Sequence, residues 1–172
     1  MRYVSVISGV VAALAFAATA SAGSVEDKAE VTVGGAELRE VDVAIDISEK
    51  TFHITKGGTE RGFTLMAGMP TVIQLRNRDL VAHEFMSTLF RDIPFSISGN
   101  ATLVKTSRAT GVRIDPGQTV TLEFNAPVAK ADQYGGTESS YDVFWCNVHG
   151  KEHGQKMRGE LLIIETTGET GG

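Results

Sequence analysis

Cysteine is almost missing from this sequence: Cys146 is the only one. A lone cysteine cannot form an internal bridge, so no disulfide framework staples the fold. An excess of positive charge is missing too. Sixteen Lys and Arg stand against 21 Asp and Glu, for a formal net charge of −5. That mild acidity argues against nucleic acid or an anionic membrane surface as a partner. No apolar run reaches the roughly 20 residues of a spanning helix, and the longest, Val4 to Ala18, falls short and is broken by Ser5, Ser8 and Gly9. No long segment shows helical periodicity. No internal repeat is visible, and no low-complexity linker divides the chain.

What is present begins with an export signal. Arg2 supplies the positive start, Val4 to Ala18 the apolar stretch, and Ala20-Ser21-Ala22 a small-x-small cleavage site. Residues 1–22 therefore read as a signal peptide, with Gly23 opening the mature chain and no membrane span after it. Export leads to an oxidising compartment, and the periplasm is the expected location. There an unpaired cysteine is either an inert buried residue or a functional thiol.

The mature chain suits one domain. Residues 23–39 are a loose lead-in, 40–165 the folded domain and 166–172 a frayed tail. Val41, Val43, Ile45 and Ile47 alternate with polar residues, the period of a half-buried strand. Phe52 and Ile54, then Phe63 and Leu65, suggest further strands on either side of a turn at Lys56-Gly57-Gly58-Thr59. Strands follow at 71–75 and 82–86, with a turn at Asn77-Arg78-Asp79. Residues 87–111 are the least regular part and read as a long excursion with one short strand at 101–105. Asp115-Pro116-Gly117-Gln118 is a strong turn, and Val120, Leu122 and Phe124 alternate after it. A loop at 130–140 precedes an aromatic strand from Tyr141 to Cys146, and an apolar strand closes the domain after Met157. Many short strands separated by turns indicate an all-β sandwich or barrel.

The chemistry concentrates in one segment. Cys146, His149, His153 and Met157 lie within twelve residues between two strands, and His83 stands far upstream at the edge of another. Thiolate and imidazole bind first-row transition metals, while a thioether suits copper and rarely zinc. One Cys, two His and a distant Met form the trigonal site of blue-copper electron carriers. His53 lies between Phe52 and Ile54 and points away from their face. Met66, Met69 and Met86 read as packing residues. Glu84 would supply a carboxylate only to a site of a different, red-copper type. Trp145 should face away from the metal, because side chains alternate along a strand.

In these features the chain resembles the cupredoxin family: Asn77 followed by His83-Glu84-Phe85, the Asp115-Pro116-Gly117 turn before a strand, the aromatic strand ending in Cys146, and Met157-Arg158-Gly159 before a last apolar strand. The resemblance spans most of residues 40–165. It implies a Greek-key β-sandwich of eight strands with mononuclear copper at one end. It further implies that His83 is the first imidazole ligand, Cys146 the thiolate and Met157 the axial thioether. The loop departs from the family in carrying two histidines. His149 stands three after Cys146, as in plastocyanins, and His153 four before Met157, as in azurins. Both binding would resemble the red-copper protein nitrosocyanin. The binuclear loop of cytochrome oxidase is excluded, because it needs a second cysteine.

The resemblance implies a non-enzymatic electron carrier with a type 1 (blue) copper, working between redox partner proteins of cytochrome or oxidase type. Two other functions compete with it. One is copper storage, delivery or resistance. The other is a red-copper site with an open position for a small molecule.

Overall fold

The computed structural model describes residues 39–128, 140–149 and 157–165. The signal peptide, most of the lead-in, the loop expected at 130–140 except its last residue, the tail and His153 lie outside them.

The period-two patterns become strands whose apolar faces meet. In β1 (Val43–Ser48) Val43, Ile45 and Ile47 are buried, and the residues between them only partly so. β2 (Thr51–Lys56) folds back on β1 through a two-residue turn, Glu49-Lys50. β5 (Pro70–Asn77) runs parallel to β1, and β10 (Thr119–Asn125) pairs antiparallel with β5. With β7 (Phe95–Gly99) they make a five-stranded sheet in the order β2-β1-β5-β10-β7.

A seven-stranded sheet lies against it, in the order β3-β4-β12-β11-β6-β9-β8. Its members are β3 (Gly58–Thr59), β4 (Gly62–Met66), β6 (His83–Ser87), β8 (Ala101–Lys105), β9 (Thr110–Ile114), β11 (Ser140–Trp145) and β12 (Arg158–Ile164). The molecule is thus an all-β sandwich. Twelve strands lie among the described residues, against the eight that the family resemblance implied. One of them is β3, a two-residue strand inside the segment read as a turn.

The excursion at 87–111 is the main correction. It is not irregular. A single helical turn, α1 (Leu89–Asp92), leads into β7, which was not expected, and then into β8, the short strand expected at 101–105. These lie at the open edges of the two sheets, and the chain crosses from one sheet to the other at Gly99, whose φ of 100° an L side chain rarely adopts. Strict alternation fails there because edge strands are only partly buried on either face.

The core between the sheets is rich in phenylalanine. Phe144 touches Phe52, Phe63 and Phe85 at ring-centroid distances of 5.0–5.5 Å. Phe90 of α1 reaches Phe85, Phe95 and Phe124. Burying rings such as Phe85 and Phe144 contributes about 2–3 kcal/mol each. Gly159 lies opposite Phe144 across β11 and β12, where any Cβ would collide with the ring. The aromatic strand before Cys146 is therefore anchored from both sheets, and it delivers that residue to one end of the sandwich.

Candidate metal centre

Cys146 is the first residue beyond β11 and is fully buried. Its backbone N–H donates to the Met157 carbonyl at 2.9 Å. That bond continues the β11–β12 ladder by one rung and closes the base of the loop between the two residues. Met157 is buried in the same core cluster. His149 sits in the turn that follows Cys146 and is half-buried. His83 opens β6, next to β11 in the sheet, and is fully buried.

These three side chains converge. The Cys146 Sγ lies 3.9 Å from His83 Nδ1 and 3.7 Å from His149 Nδ1, and the two nitrogens are 3.1 Å apart. Each corner of that triangle is about 2.1 Å from a common centre. Metal bonds from such donors run about 2.0 Å to imidazole nitrogen and about 2.3 Å to thiolate sulfur. The donor set therefore fits a single first-row metal ion without rearrangement. Among the described residues this is the one group of three His, Cys, Asp or Glu side chains close enough to hold an ion.

Glu84 is not part of that group. It follows His83 on β6, so strand alternation turns its side chain to the other face. It is buried, and its Oε2 has no hydrogen-bond partner. Its backbone N–H serves the site instead, donating to Cys146 Sγ at 3.4 Å. Of the remaining residues, His53, Met66 and Met69 are exposed, and Met86 is fully buried. Trp145 is half-buried between buried Phe144 and Cys146.

Behind His83 stands a polar support that sequence reasoning missed. Its Nε2 lies 2.8 Å from Asp79 Oδ2. The Asp79 carboxylate also accepts the backbone N–H groups of Glu49 and Lys50 at 2.7 and 2.9 Å. Burial pushes the Asp79 carboxyl upward, but the N–H groups of Lys50 and Glu49 and the His83 ring outweigh it and hold the group below its usual range. Burial pulls His83 below its ordinary value, and Asp79 opposes that only in part. The pair is thus a carboxylate and a neutral imidazole. Asn77 fixes the turn between them. Its side-chain amide donates to the Val81 and Ile114 carbonyls, and its oxygen accepts the Asp79 N–H. The available signal was the Asn77-Arg78-Asp79 turn four residues before a histidine.

Three apolar side chains near the site in the chain are exposed. Leu80 is 94% exposed, and Val81 and Val148 are about half so. They lie just before His83 and His149 in the chain.

No family model matches this chain, and no curated protein does. Solved structures do. The chain is similar to the multicopper oxidase McoA from the hyperthermophile Aquifex aeolicus, with a TM-score of 0.50 and 13% identity over 78% of this chain and 31% of that one. It also matches amicyanin, in a reduced Cu(I) form at pH 4, with a TM-score of 0.41 and 16% identity over 74% of this chain and 87% of that one. The fold is cupredoxin-like.

Proposed function

We propose that this cupredoxin-like chain is a periplasmic copper protein that carries single electrons between partner proteins and transforms no substrate itself. The observation that carries the reading is the triangle of His83 Nδ1, Cys146 Sγ and His149 Nδ1, whose sides suit three bonds to one ion. His83, Cys146 and His149 would hold the ion, and the buried Met157 thioether would be a further, weak donor. A thiolate, two imidazoles and a thioether select copper over zinc. Among the described residues His149 can supply the second imidazole, and His153 lies outside them.

Copper in such a site supplies a one-electron couple. The chain's own residues make that couple fast to use. Two ligands, His83 and Cys146, are fully buried at the ends of neighbouring elements of one sheet, so the donor positions change little with the charge on the ion. His149 is the ligand nearest solvent, and apolar Leu80, Val81 and Val148 are exposed near the site in the chain. These side chains suit brief docking of a cytochrome-type or oxidase-type partner, which must release after each transfer.

The test is the absorption and EPR spectrum of residues 23–172 with one equivalent of Cu(II), beside the Cys146→Ser variant. An intense blue thiolate-to-copper band with narrow hyperfine splitting, absent from the variant, is expected. A red protein with wide splitting would replace this reading with small-molecule binding or copper handling. No thiolate band at all would end it.

A further inference from the structure

The hairpin turn between β1 and β2 uses the wrong residues for its shape. Two-residue hairpin loops with positive φ at both positions favour Asn, Asp and Gly. Here both positions are occupied by long side chains, Glu49 and Lys50, each with φ of 53°. That conformation is costly for such residues. It also aims both of their N–H groups at one carboxylate, Asp79. Successive backbone N–H groups arranged in this way form an anion-binding concavity. The anion it holds belongs to the chain, and its Oδ2 also meets His83 Nε2 at 2.8 Å. Asn77 fixes the Asp79 backbone by accepting its N–H.

We infer that Asp79, gripped by the Glu49-Lys50 turn, is a positioning residue that keeps the His83 proton on Nε2 and so leaves the Nδ1 lone pair aimed at the metal. A neutral imidazole has two tautomers, and only one of them offers Nδ1 as a ligand. An anionic acceptor at Nε2 selects that tautomer and makes the ring a stronger donor. The five-stranded sheet thereby tunes a ligand carried by the seven-stranded one. The stronger donor favours Cu(II) over Cu(I), so Asp79 lowers the reduction potential. This last step rests on the copper reading above, whereas the tautomer does not.

Two measurements keep the outcomes separate. The first is the pair of ring 15N shifts of His83 in the metal-free wild-type protein at neutral pH. Shifts of the Nε2–H tautomer are expected, and those of the Nδ1–H tautomer, or an even mixture, would overturn the inference whether or not the protein binds copper. The second compares copper-loaded wild type with Asp79→Asn and Asp79→Glu by voltammetry and visible spectrum. Asp79→Asn is expected to shift the ratio of Cu(II) to Cu(I) affinity toward Cu(I) about tenfold, a rise of about 59 mV for one electron. Asp79→Glu should recover part of that shift. An unchanged potential in a folded Asp79→Asn protein would overturn the tuning role. Replacing Glu49-Lys50 by Asn-Gly preserves both N–H donors and should leave tautomer and potential alone; a change in either would place the effect in the turn's side chains instead.

Discussion

His83 and His149 present the same ring nitrogen to the same centre from opposite kinds of structure. His83 stands on a strand, is fully buried, and is held from behind by Asp79, the β1–β2 turn and Asn77. His149 stands in the turn beyond β11, half-buried, beside exposed Val148. On the copper-carrier reading proposed above, the difference would separate two tasks that a single ligand could not perform together. A ligand that fixes geometry must be immobile and dry, and a ligand that communicates with a partner must reach the surface. Assigning the tasks to residues 66 positions apart lets each environment be built without compromising the other.

The largest effect that can break this comparison comes from deleting each ring. His149→Gly should lose the thiolate band and regain it with added imidazole, because the vacated position opens to solvent. His83→Gly should stay colourless under the same titration and be destabilised by about 3 kcal/mol, since its ring is sealed in the core. Equal rescue of both variants in the visible spectrum would show that the two sites do not differ in access. A smaller effect is expected from Asn77→Ala. It leaves the Val81 and Ile114 carbonyls and the Asp79 N–H without their partner, at a cost of about 2–3 kcal/mol that urea unfolding would read as a lower midpoint. A loss under 0.5 kcal/mol would mean that His83 is not supported through this turn.

The smallest effect is a pH slope. His83 is held below its ordinary 6.5 by burial, which Asp79 only partly opposes. The unfolded chain therefore binds a proton as the pH falls through that value, and the folded chain does not. By linkage, the metal-free protein loses stability as the pH drops below about 6.5, and the loss levels off once the folded imidazole protonates. Denaturant midpoints between pH 7 and 5 should show the slope in wild type and its flattening in His83→Gln. A slope that survives the substitution would belong to another group.

Much of this was visible along the chain. Alternation in Val43, Ile45 and Ile47, and again in Val120, Leu122 and Phe124, marks strands because burial on one face repeats every second residue. Cys146, His149 and Met157 stand out by chemistry and closeness. In the region at 87–111 only β8, at 101–105, was legible; α1 is a single turn, and β7 is an edge strand whose partial burial blurs the alternation. Asp79 was hidden for another reason. Within its own segment it is an ordinary turn residue four positions before His83, and its other partners, Glu49 and Lys50, about 30 positions away, are brought to it only by the parallel pairing of β1 with β5.

By itself, then, the sequence determined which donors are available and that they ride on a β-fold, because side-chain chemistry and strand period are local properties. Tertiary structure alone decided that His83 meets both Cys146 and His149 within 4 Å, and that a hairpin turn of one sheet grips the carboxylate behind His83 of the other. Those contacts join residues about 30 to 66 positions apart. Their geometry comes from the pairing order of the strands and the closing of the core, which no local pattern encodes.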